Sequence, residues 1–166
     1  MDFTSFIRDI PDFPKPGVMF RDISPLLKNP QALQKMVEAF SARMDLSSVD
    51  AFVGIESRGF ILASMMAMHT QKGFIPLRKA GKLPPPVFRE SYTLEYGEAT
   101  LEMAQGHGRV IIMDDVLATG GTLAAGISLC QKAGYEIQDV AVLIDLPFLN
   151  DFRFQGRKVV SLVQYK

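Results

Sequence analysis

The sequence predicts a single α/β domain over residues 1–166, with a mostly parallel sheet flanked by helices. Short, apolar, β-branched runs alternate along the chain with longer stretches whose apolar residues recur at helical spacing. This alternation is typical of a parallel sheet, because the crossover between parallel strands usually contains a helix. The length of 166 residues and the hydrophobic content of 48% also fit one domain with its own core.

Five buried strands are predicted from runs that are too short for helices and rich in β-branched residues. Because these runs are mostly apolar, we expect both faces of each strand to be covered. The strands are Ala51 to Ile55, Phe74 to Leu77, Val110 to Met113, Val140 to Ile144 and Val159 to Leu162.

Three helices are predicted between the strands. Asn29 is expected to cap the first helix and Pro30 to take its first position. Gly134 is expected to follow the end of the third, because glycine readily adopts the left-handed conformation common there. The helices are Gln31 to Met44, Gly59 to Thr70 and Leu123 to Ala133.

Two segments stand outside this alternation. Pro11 to Pro25 is proline-rich and mixes aromatic with charged residues, so we expect an extended cover and no helix. Arg78 to Gly97 contains three consecutive prolines, Pro84 to Pro86. Long connections inside compact domains are often functional lids or disordered, and this stretch is therefore predicted to be a lid.

The charge balance disfavours several classes of function. With 18 basic and 18 acidic residues, the chain has no basic surplus that would indicate a nucleic-acid partner.

No apolar run reaches the roughly 20 residues needed to cross a bilayer, and residues 1–8 lack an apolar signal core. We expect a cytoplasmic protein with no membrane partner, in which the lone Cys130 packs in the core.

The segment from Arg109 to Thr122 carries the strongest functional signal. A buried strand is followed by two acids, by a small loop rich in glycine and threonine, and then by an apolar helix. The unpaired N–H groups and the positive dipole end of a helix start hold an anion well. The segment therefore predicts a phosphate site, formed by Ala118, Thr119, Gly120, Gly121 and Thr122.

The two acids, Asp114 and Asp115, favour a ligand that offers hydroxyl groups beside its phosphate. Ionised carboxylates only accept hydrogen bonds, so they would repel a phosphate but suit a vicinal diol. A phosphate on the loop and a diol on the acids together describe a ribose 5-phosphate. The alternative is a polar turn after a strand, with an incidental helix cap.

A second loop, Glu56 to Gly59, repeats the order of strand, small loop and helix. Arg58 offers a planar set of donors suited to phosphate, although it could simply be solvated. Two such loops in one sheet indicate one ligand with two phosphate ends, because ligands of parallel sheets bind beyond the carboxyl ends of the strands. Three basic residues, Arg78, Lys79 and Lys82, would neutralise the charge of such a ligand. Alternatively, they are only the solvent-exposed charges of a loop.

Five ordered blocks of the chain resemble the type I phosphoribosyltransferases, and in particular those that act on adenine. They are residues 11–27 (PDFPKPGVMFRDISPLL), 54–60 (GIESRGF), 78–84 (RKAGKLP), 91–97 (SYTLEYG) and 109–122 (RVIIMDDVLATGGT). The resemblance implies the fold of that family, with an N-terminal hood over residues 1–30 that binds the base and a flexible lid over residues 78–97.

The resemblance also implies a purine-salvage enzyme that converts adenine and 5-phosphoribosyl 1-diphosphate into AMP and diphosphate. Residues Glu56, Ser57, Arg58 and Gly59 would form the diphosphate loop, with an unusual cis peptide near Glu56–Ser57. Mg²⁺ would be bound mainly through the diphosphate substrate, with no direct protein ligand. The enzyme would be a homodimer, although the connection from Ala104 to Gly108 is shorter than in many relatives.

The catalytic and base-binding residues are likewise implied by the resemblance. Glu95 would act as an acid/base at the purine and Tyr96 would help to close the site, together with Asp114 and Asp115 at the sugar. Taken alone, Glu95 equally fits an alternating pair on a strand. The residues implied to bind adenine are Met19 and Arg21 through their main chains, Phe20 and Val116 at the ring faces, and Leu146.

Two other functions fit parts of the sequence. Transfer to hypoxanthine, guanine or xanthine would use the same loops, but the block over residues 11–27 argues against it. A transcriptional regulator with the same fold would need a basic surface that binds nucleic acid, or an added DNA-binding domain. The net charge of zero and the length disfavour that regulator.

Overall fold

The structure is a computed structural model that describes residues 1–94 and 97–165. Its strands are β1 (Arg8–Ile10), β2 (Phe20–Asp22), β3 (Ala51–Ile55), β4 (Gly73–Lys79), β5 (Val87–Leu94), β6 (Gly97–Ala104), β7 (Gly108–Leu117), β8 (Tyr135–Asp145), β9 (Arg153–Phe154), β10 (Arg157–Lys158) and β11 (Val160–Gln164). Its α-helices are α1 (Ser24–Leu27), α2 (Pro30–Ser41), α3 (Arg58–Thr70) and α4 (Gly121–Lys132).

The central sheet confirms the predicted fold class. Within the described residues it has seven strands, in the order β11-β8-β7-β3-β4-β6-β5. Neighbouring strands from β11 to β4 are parallel, whereas β6 pairs antiparallel with both β4 and β5. All five predicted strands are present. The parallel arrangement brings the carboxyl ends of β3, β4, β7 and β8 to one edge of the sheet.

Helices cover both faces of the sheet. In β3, Phe52 packs in a cluster with α2 and α3, whereas Val53 and Ile55 pack on the opposite face with α4. This alternation follows from the two-residue period of a strand. Cys130 of α4 is fully buried, as predicted, and burial raises the pKa of its thiol to about 12.

The helix boundaries follow local sequence signals. Asn29 accepts a hydrogen bond from the main-chain N–H of Ala32 at 2.9 Å, so it caps α2 as predicted, and Pro30 is the first residue of that helix. The helix ends at Ser41, earlier than predicted. Gly134 follows α4 with a φ of 102°, also as predicted. Among the helices of the described residues, none is long and apolar enough to cross a membrane.

The proline-rich segment Pro11 to Pro25 departs from the prediction at its end. It contains β2, which pairs antiparallel with β1. Its last two residues, Ser24 and Pro25, begin the short helix α1, so the prediction of no helix was wrong there. Proline is tolerated in the first turn of a helix, because the N–H it lacks has no helical partner at that position.

The stretch predicted as a lid, residues 78–97, contains regular structure. Strand β4 continues to Lys79, and β5 fills residues 87–94. Pairing of β5 with β6, from Val87–Ala104 to Leu94–Gly97, supplies the main-chain hydrogen bonds that an irregular connection would lack. The movement of this hairpin as a lid stays a prediction.

Candidate active site

The predicted phosphate loop joins β7 to α4. The chain leaves β7 after Leu117 and enters α4 at Gly121, with residues 118–120 as the turn. Gly120 has a φ of 93°, and a Cβ atom there would lie 2.6 Å from Cδ2 of Phe152. Glycine is therefore required both by the backbone conformation and by the ring behind it. The first main-chain N–H groups of α4 follow directly after this turn. Such unpaired N–H groups at the start of a helix are suited to bind an anion.

The acid pair lies within β7 and not after it, because β7 extends four residues beyond the predicted end at Met113. Asp114 and Asp115 are both buried, with exposed fractions of 9% and 6%. Burial, and then the charge of the neighbouring Asp115, raises the pKa of Asp114 well above its ordinary value. Oδ2 of Asp115 lies 2.8 Å from Nε of Arg58, so one positive charge stands beside the two acids.

The predicted diphosphate loop approaches the acid pair of β7 at Gly59, the second residue of α3. A Cβ atom on Gly59 would lie 2.7 Å from the carbonyl oxygen of Met113 and 3.1 Å from Oδ1 of Asp114. Only glycine allows the start of α3 to approach β7 so closely. The loop predicted to bind diphosphate therefore lies directly beside the acid pair.

The predicted basic residues lie at the end of β4 and in the turn after it, and Glu56 binds two of them, Arg78 and Lys79. Its carboxylate accepts two bonds from the Arg78 guanidinium, at 3.1 and 3.3 Å, and one from the main-chain N–H of Lys79 at 2.9 Å. The Arg78 hydrogen bonds, helped by Lys79, keep the pKa of Glu56 below its ordinary value. Lys82 follows in the turn after β4. The Glu56–Ser57 peptide bond is cis, as the resemblance implied.

Phe20 of the predicted base-binding block faces this site. The guanidinium of Arg58 lies over its ring, 4.9 Å from the centroid. The side chain of Arg21 is engaged elsewhere, since it pairs with Asp9 and lies 3.8 Å from the ring centroid of Tyr165. This arrangement is compatible with the main-chain role predicted for Arg21.

The other residues predicted to bind the base lie near the carboxyl ends of β7 and β8 or just before β2. Val116 is half-buried near the end of β7, and Leu146 follows β8 and donates its N–H to the carbonyl oxygen of Leu117 at 3.0 Å. Met19 precedes β2 and is 46% exposed. Val116 and Leu146 therefore lie at the edge of the sheet that carries the acid pair.

Comparisons with known proteins agree with this arrangement. A family model described as a phosphoribosyl transferase domain matches residues 22–151. The adenine phosphoribosyltransferase of Bdellovibrio bacteriovorus is 59% identical over 165 residues, which cover 99% of this chain and 100% of that protein. The chain belongs to the adenine phosphoribosyltransferase family.

Solved structures named adenine phosphoribosyltransferase share the fold. The one from Thermoanaerobacter pseudethanolicus has a TM-score of 0.90 and 37% identity, with 98% of each chain covered. The one from Saccharomyces cerevisiae was solved with adenine and D-2,5-dideoxy-2,5-imino-altritol 1,6-bisphosphate. It has a TM-score of 0.85 and 32% identity, and the match covers 97% of this chain and 95% of that chain. The predicted type I fold is confirmed.

Two residues that the adenine phosphoribosyltransferase resemblance implies, Glu95 and Tyr96, lie outside the described residues. Their roles as acid/base and as a closing residue stay predictions. The strands on either side of them pair as far as Leu94 and Gly97, so the hairpin leads the chain to and from this position.

Three further side chains support the site, and the motifs do not single them out. The hydroxyl of Tyr92 on β5 lies 3.5 Å from Oγ1 of Thr122 in the first turn of α4. Phe152 backs the phosphate loop, and Glu102 on β6 accepts a hydrogen bond from the main-chain N–H of Lys82. Tyr92 lies in one of the resembling blocks, which was the available signal. The other two are far along the chain from the loops they support.

Proposed function

We propose that the protein transfers the phosphoribosyl group of 5-phosphoribosyl 1-diphosphate to adenine, with AMP and diphosphate as products. The bond from the sugar C1 to the diphosphate oxygen breaks, the bond from C1 to a purine ring nitrogen forms, and that nitrogen loses its proton. The observation that carries the proposal is the close contact of Gly59 with Met113 and Asp114. This contact brings the predicted diphosphate loop to the pair of acids that precedes the predicted phosphate loop in the chain.

The acid pair binds the ribose in this proposal. Asp114 and Asp115 accept hydrogen bonds from the two sugar hydroxyls, and the negative charge that the pair shares stabilises the positive charge that grows on the sugar as the C1–O bond breaks. The 5-phosphate binds at residues 118–122, where the start of α4 offers N–H groups. The loop geometry supports this assignment, because Gly120 has the left-handed conformation that turns the chain into α4.

The diphosphate leaving group binds the positively charged residues at the ends of β3 and β4. Arg58 begins α3, and Arg78, Lys79 and Lys82 lie at the end of β4 and in the turn after it. Positive groups held in place before the reaction stabilise the negative charge that grows on the leaving oxygen, with no cost for rearranging solvent. The hydrogen bonds of Glu56 to Arg78 and Lys79 support such an ordered arrangement.

Adenine binds against Phe20 and Val116, with the main chains of Met19 and Arg21 at its edge and Leu146 in the pocket wall. The Saccharomyces cerevisiae relative was solved with adenine and a bisphosphate, which supports binding of a base together with a ligand that carries two phosphates. The engagement of the Arg21 side chain by Asp9 and Tyr165 also supports recognition by the main chain.

Glu95 assists the removal of the proton from the attacking purine, and Tyr96 helps to exclude water from the oxocarbenium-like sugar. A positioned acid/base contributes about a hundredfold to ten-thousandfold to a rate, so Glu95 would affect turnover far more than substrate binding. The described strands that flank them in the chain support the proposal, because Tyr92 of β5 lies 3.5 Å from Thr122 at the start of α4.

Mg²⁺ would reach this site mainly on its substrate. The carboxylates of Asp114 and Asp115 are oxygen groups of the kind that Mg²⁺ prefers, but no three acidic, histidine or cysteine side chains converge among residues 1–94 and 97–165. Diphosphate oxygens and water would therefore complete the coordination. When bound, the ion would neutralise charge on the leaving diphosphate.

We also propose a homodimer in the cytoplasm. Exposed apolar side chains on α3 and β4 support self-association: Ile61, Met68 and Phe74 are 38%, 83% and 39% exposed. The cytoplasmic location is supported by the charge of the proposed substrate, because moving a charged group from water into hydrocarbon costs much free energy. Sedimentation of the purified protein at several concentrations tests the dimer.

The test of the function is an assay with labelled 5-phosphoribosyl 1-diphosphate, Mg²⁺ and one nucleobase at a time. Nucleotide should form with adenine and not with hypoxanthine, guanine or xanthine. A faster reaction with a 6-oxopurine would overturn the base assignment, and no nucleotide with any base would overturn the proposal.

A variant assay tests the proposed role of Glu95. Glu95→Ala should lower kcat by about a hundredfold or more while the affinity for 5-phosphoribosyl 1-diphosphate changes little. Glu98→Ala on β6 is the matched control, because it removes an exposed glutamate of the same hairpin. Equal turnover in Glu95→Ala and the parent would remove Glu95 from the mechanism.

A further inference from the structure

Glu102 is a buried carboxylate that the proposed reaction does not use. It lies in the middle of β6, and the exposed fraction of its side chain is 0%. In the strand register it is paired with Arg78 on β4 and with Arg89 on β5. A charged group is rarely buried unless hydrogen bonds compensate for the loss of water.

The compensating bonds come from the turn that follows β4. Oε1 of Glu102 accepts the main-chain N–H groups of Lys82 and Leu83, both at 2.7 Å, and Oε2 lies 3.3 Å from Nε of Arg89. The main-chain donors of Leu83 and Gly81 are the largest causes that lower the pKa of Glu102 to about 2. Gly81 has a φ of 87°, which allows the turn to fold around the carboxylate.

The same basic segment is therefore held by two carboxylates. Glu56 binds the Arg78 guanidinium and the N–H of Lys79, and Glu102 binds the N–H groups three and four residues after Lys79. Arg78, Lys79 and Lys82 place three positive charges within five consecutive positions. These charges repel one another, and the repulsion would favour movement of the turn if no carboxylate bound it. Because Oε1 takes only main-chain donors, the Lys82 ammonium group is not needed for this contact.

We propose that Glu102 is a positioning residue, which fixes the turn over residues 80–83 so that the basic segment is ordered before diphosphate binds. The inference rests on the proposed function, in which this segment receives the leaving group. Glu102 itself does not touch the substrate; it acts through the main chain of the turn. A basic segment that is ordered before binding loses less conformational entropy when diphosphate binds. Its positive charges are also already placed to stabilise the transition state.

The test compares Glu102→Gln with the parent in steady-state kinetics and in calorimetric titration with inorganic diphosphate and Mg²⁺. The glutamine keeps the size of the side chain and one acceptor but removes the charge, which weakens hydrogen bonds to both N–H groups. The KM for 5-phosphoribosyl 1-diphosphate and the Kd for diphosphate should each rise about tenfold. The KM for adenine should change by less than about twofold, because the base site lies on other strands.

Glu136→Gln is the matched control, since Glu136 is an exposed glutamate on β8 and its loss should leave all constants unchanged. A merely structural role for Glu102 would lower the melting temperature and the active fraction but leave both constants at the parent values. That result, in a parent that makes AMP, would overturn the inference and leave the proposed function intact. A parent that makes no nucleotide would overturn the proposed function instead.

A second variant keeps the inference testable if Glu102→Gln does not fold. Gly81→Ala meets no atom within 4 Å, so it strains only the left-handed turn and leaves the core untouched. The turn should shift away from Glu102, and the KM for 5-phosphoribosyl 1-diphosphate should again rise while the melting temperature changes little. Parent values for KM and for the diphosphate Kd in this variant would also overturn the inference.

Discussion

The Nε atom of Arg58 lies 2.8 Å from Oδ2 of Asp115, and this contact joins the loop after β3 to the acid pair of β7. The same guanidinium lies 4.9 Å from the centroid of the Phe20 ring. One arginine from the loop assigned to diphosphate therefore touches the residues assigned to ribose and to the base. The three parts of the site are not expected to behave independently.

A double-mutant cycle on Arg58→Gln and Asp115→Asn tests this dependence. Each single change should lower kcat/KM for 5-phosphoribosyl 1-diphosphate, because each leaves a charged partner in a partly or fully buried position. The double variant should lose less than the sum of the two, with a coupling of about 1–3 kcal/mol. Asp151→Asn is the control, since its carboxylate is 80% exposed and pairs with Arg153 at the surface. Additive losses would show that the contact has no role in the reaction.

Gly120→Ala should disable the phosphate loop. The new Cβ atom would lie 2.6 Å from the Phe152 ring, on a residue whose φ of 93° already disfavours alanine. We expect a loss of about 2–4 kcal/mol in the free energy of unfolding and a raised KM for 5-phosphoribosyl 1-diphosphate. Gly156→Ala isolates the backbone effect, because its φ is 77° and no atom lies within 4 Å. Urea denaturation of both variants measures the difference, and equal losses would remove Phe152 from the explanation.

Tyr92→Phe should weaken the connection between the hairpin and the phosphate loop. It removes the hydroxyl that lies 3.5 Å from Oγ1 of Thr122, a long contact near the limit of a hydrogen bond. The KM for 5-phosphoribosyl 1-diphosphate should rise about twofold to fivefold, with little change in stability. Tyr135→Phe, at the opposite end of the sheet where β8 begins, should leave that KM unchanged. The same KM in both variants would mean that the Tyr92 hydroxyl is not used.

Acid should destabilise the parent more steeply than Glu102→Gln. The pKa of Glu102 is about 2 in the folded chain against an ordinary value of 4.5, because main-chain N–H groups bind the charged form. Below about pH 4.5, Glu102 binds a proton in the unfolded chain but stays ionised in the folded chain. The free energy of unfolding therefore falls as the pH falls toward 2. Urea denaturation between about pH 5 and pH 3 should show a shallower slope for Glu102→Gln than for the parent. Parallel slopes would contradict the lowered pKa.

The sequence predicted the parallel core of the fold well, and the acids and the diphosphate loop that it assigned to the site lie side by side in the structure. Short apolar runs identify buried strands directly, and β3 has the predicted bounds, Ala51 and Ile55. The phosphate loop could be located because its strand, glycines and helix are contiguous in the chain. The acid pair was also identified, although β7 extends through it to Leu117. That extension depends on pairing with β8, which local sequence does not reveal.

The hairpin of β5 and β6 and its supporting contacts could not be predicted in the same way. Three consecutive prolines before β5 suggested an irregular connection, and the strand depends on its partner β6. From the sequence alone, Glu102 would be expected to be exposed, because charged residues are rarely buried. Its burial depends on the turn over residues 80–83, whose main-chain N–H groups bind its carboxylate. In the connection from Ala104 to Gly108, Gly106 donates its N–H to the carbonyl oxygen of Ala133 at 2.9 Å, a contact that local sequence does not reveal.

A crystal structure with bound AMP tests the central claim most directly. The phosphate should lie at residues 118–122, the ribose hydroxyls should contact Asp114 and Asp115, and the purine should stack on Phe20. Binding of the nucleotide anywhere other than at the carboxyl ends of β3 and β7, or with its phosphate away from the start of α4, would contradict the account.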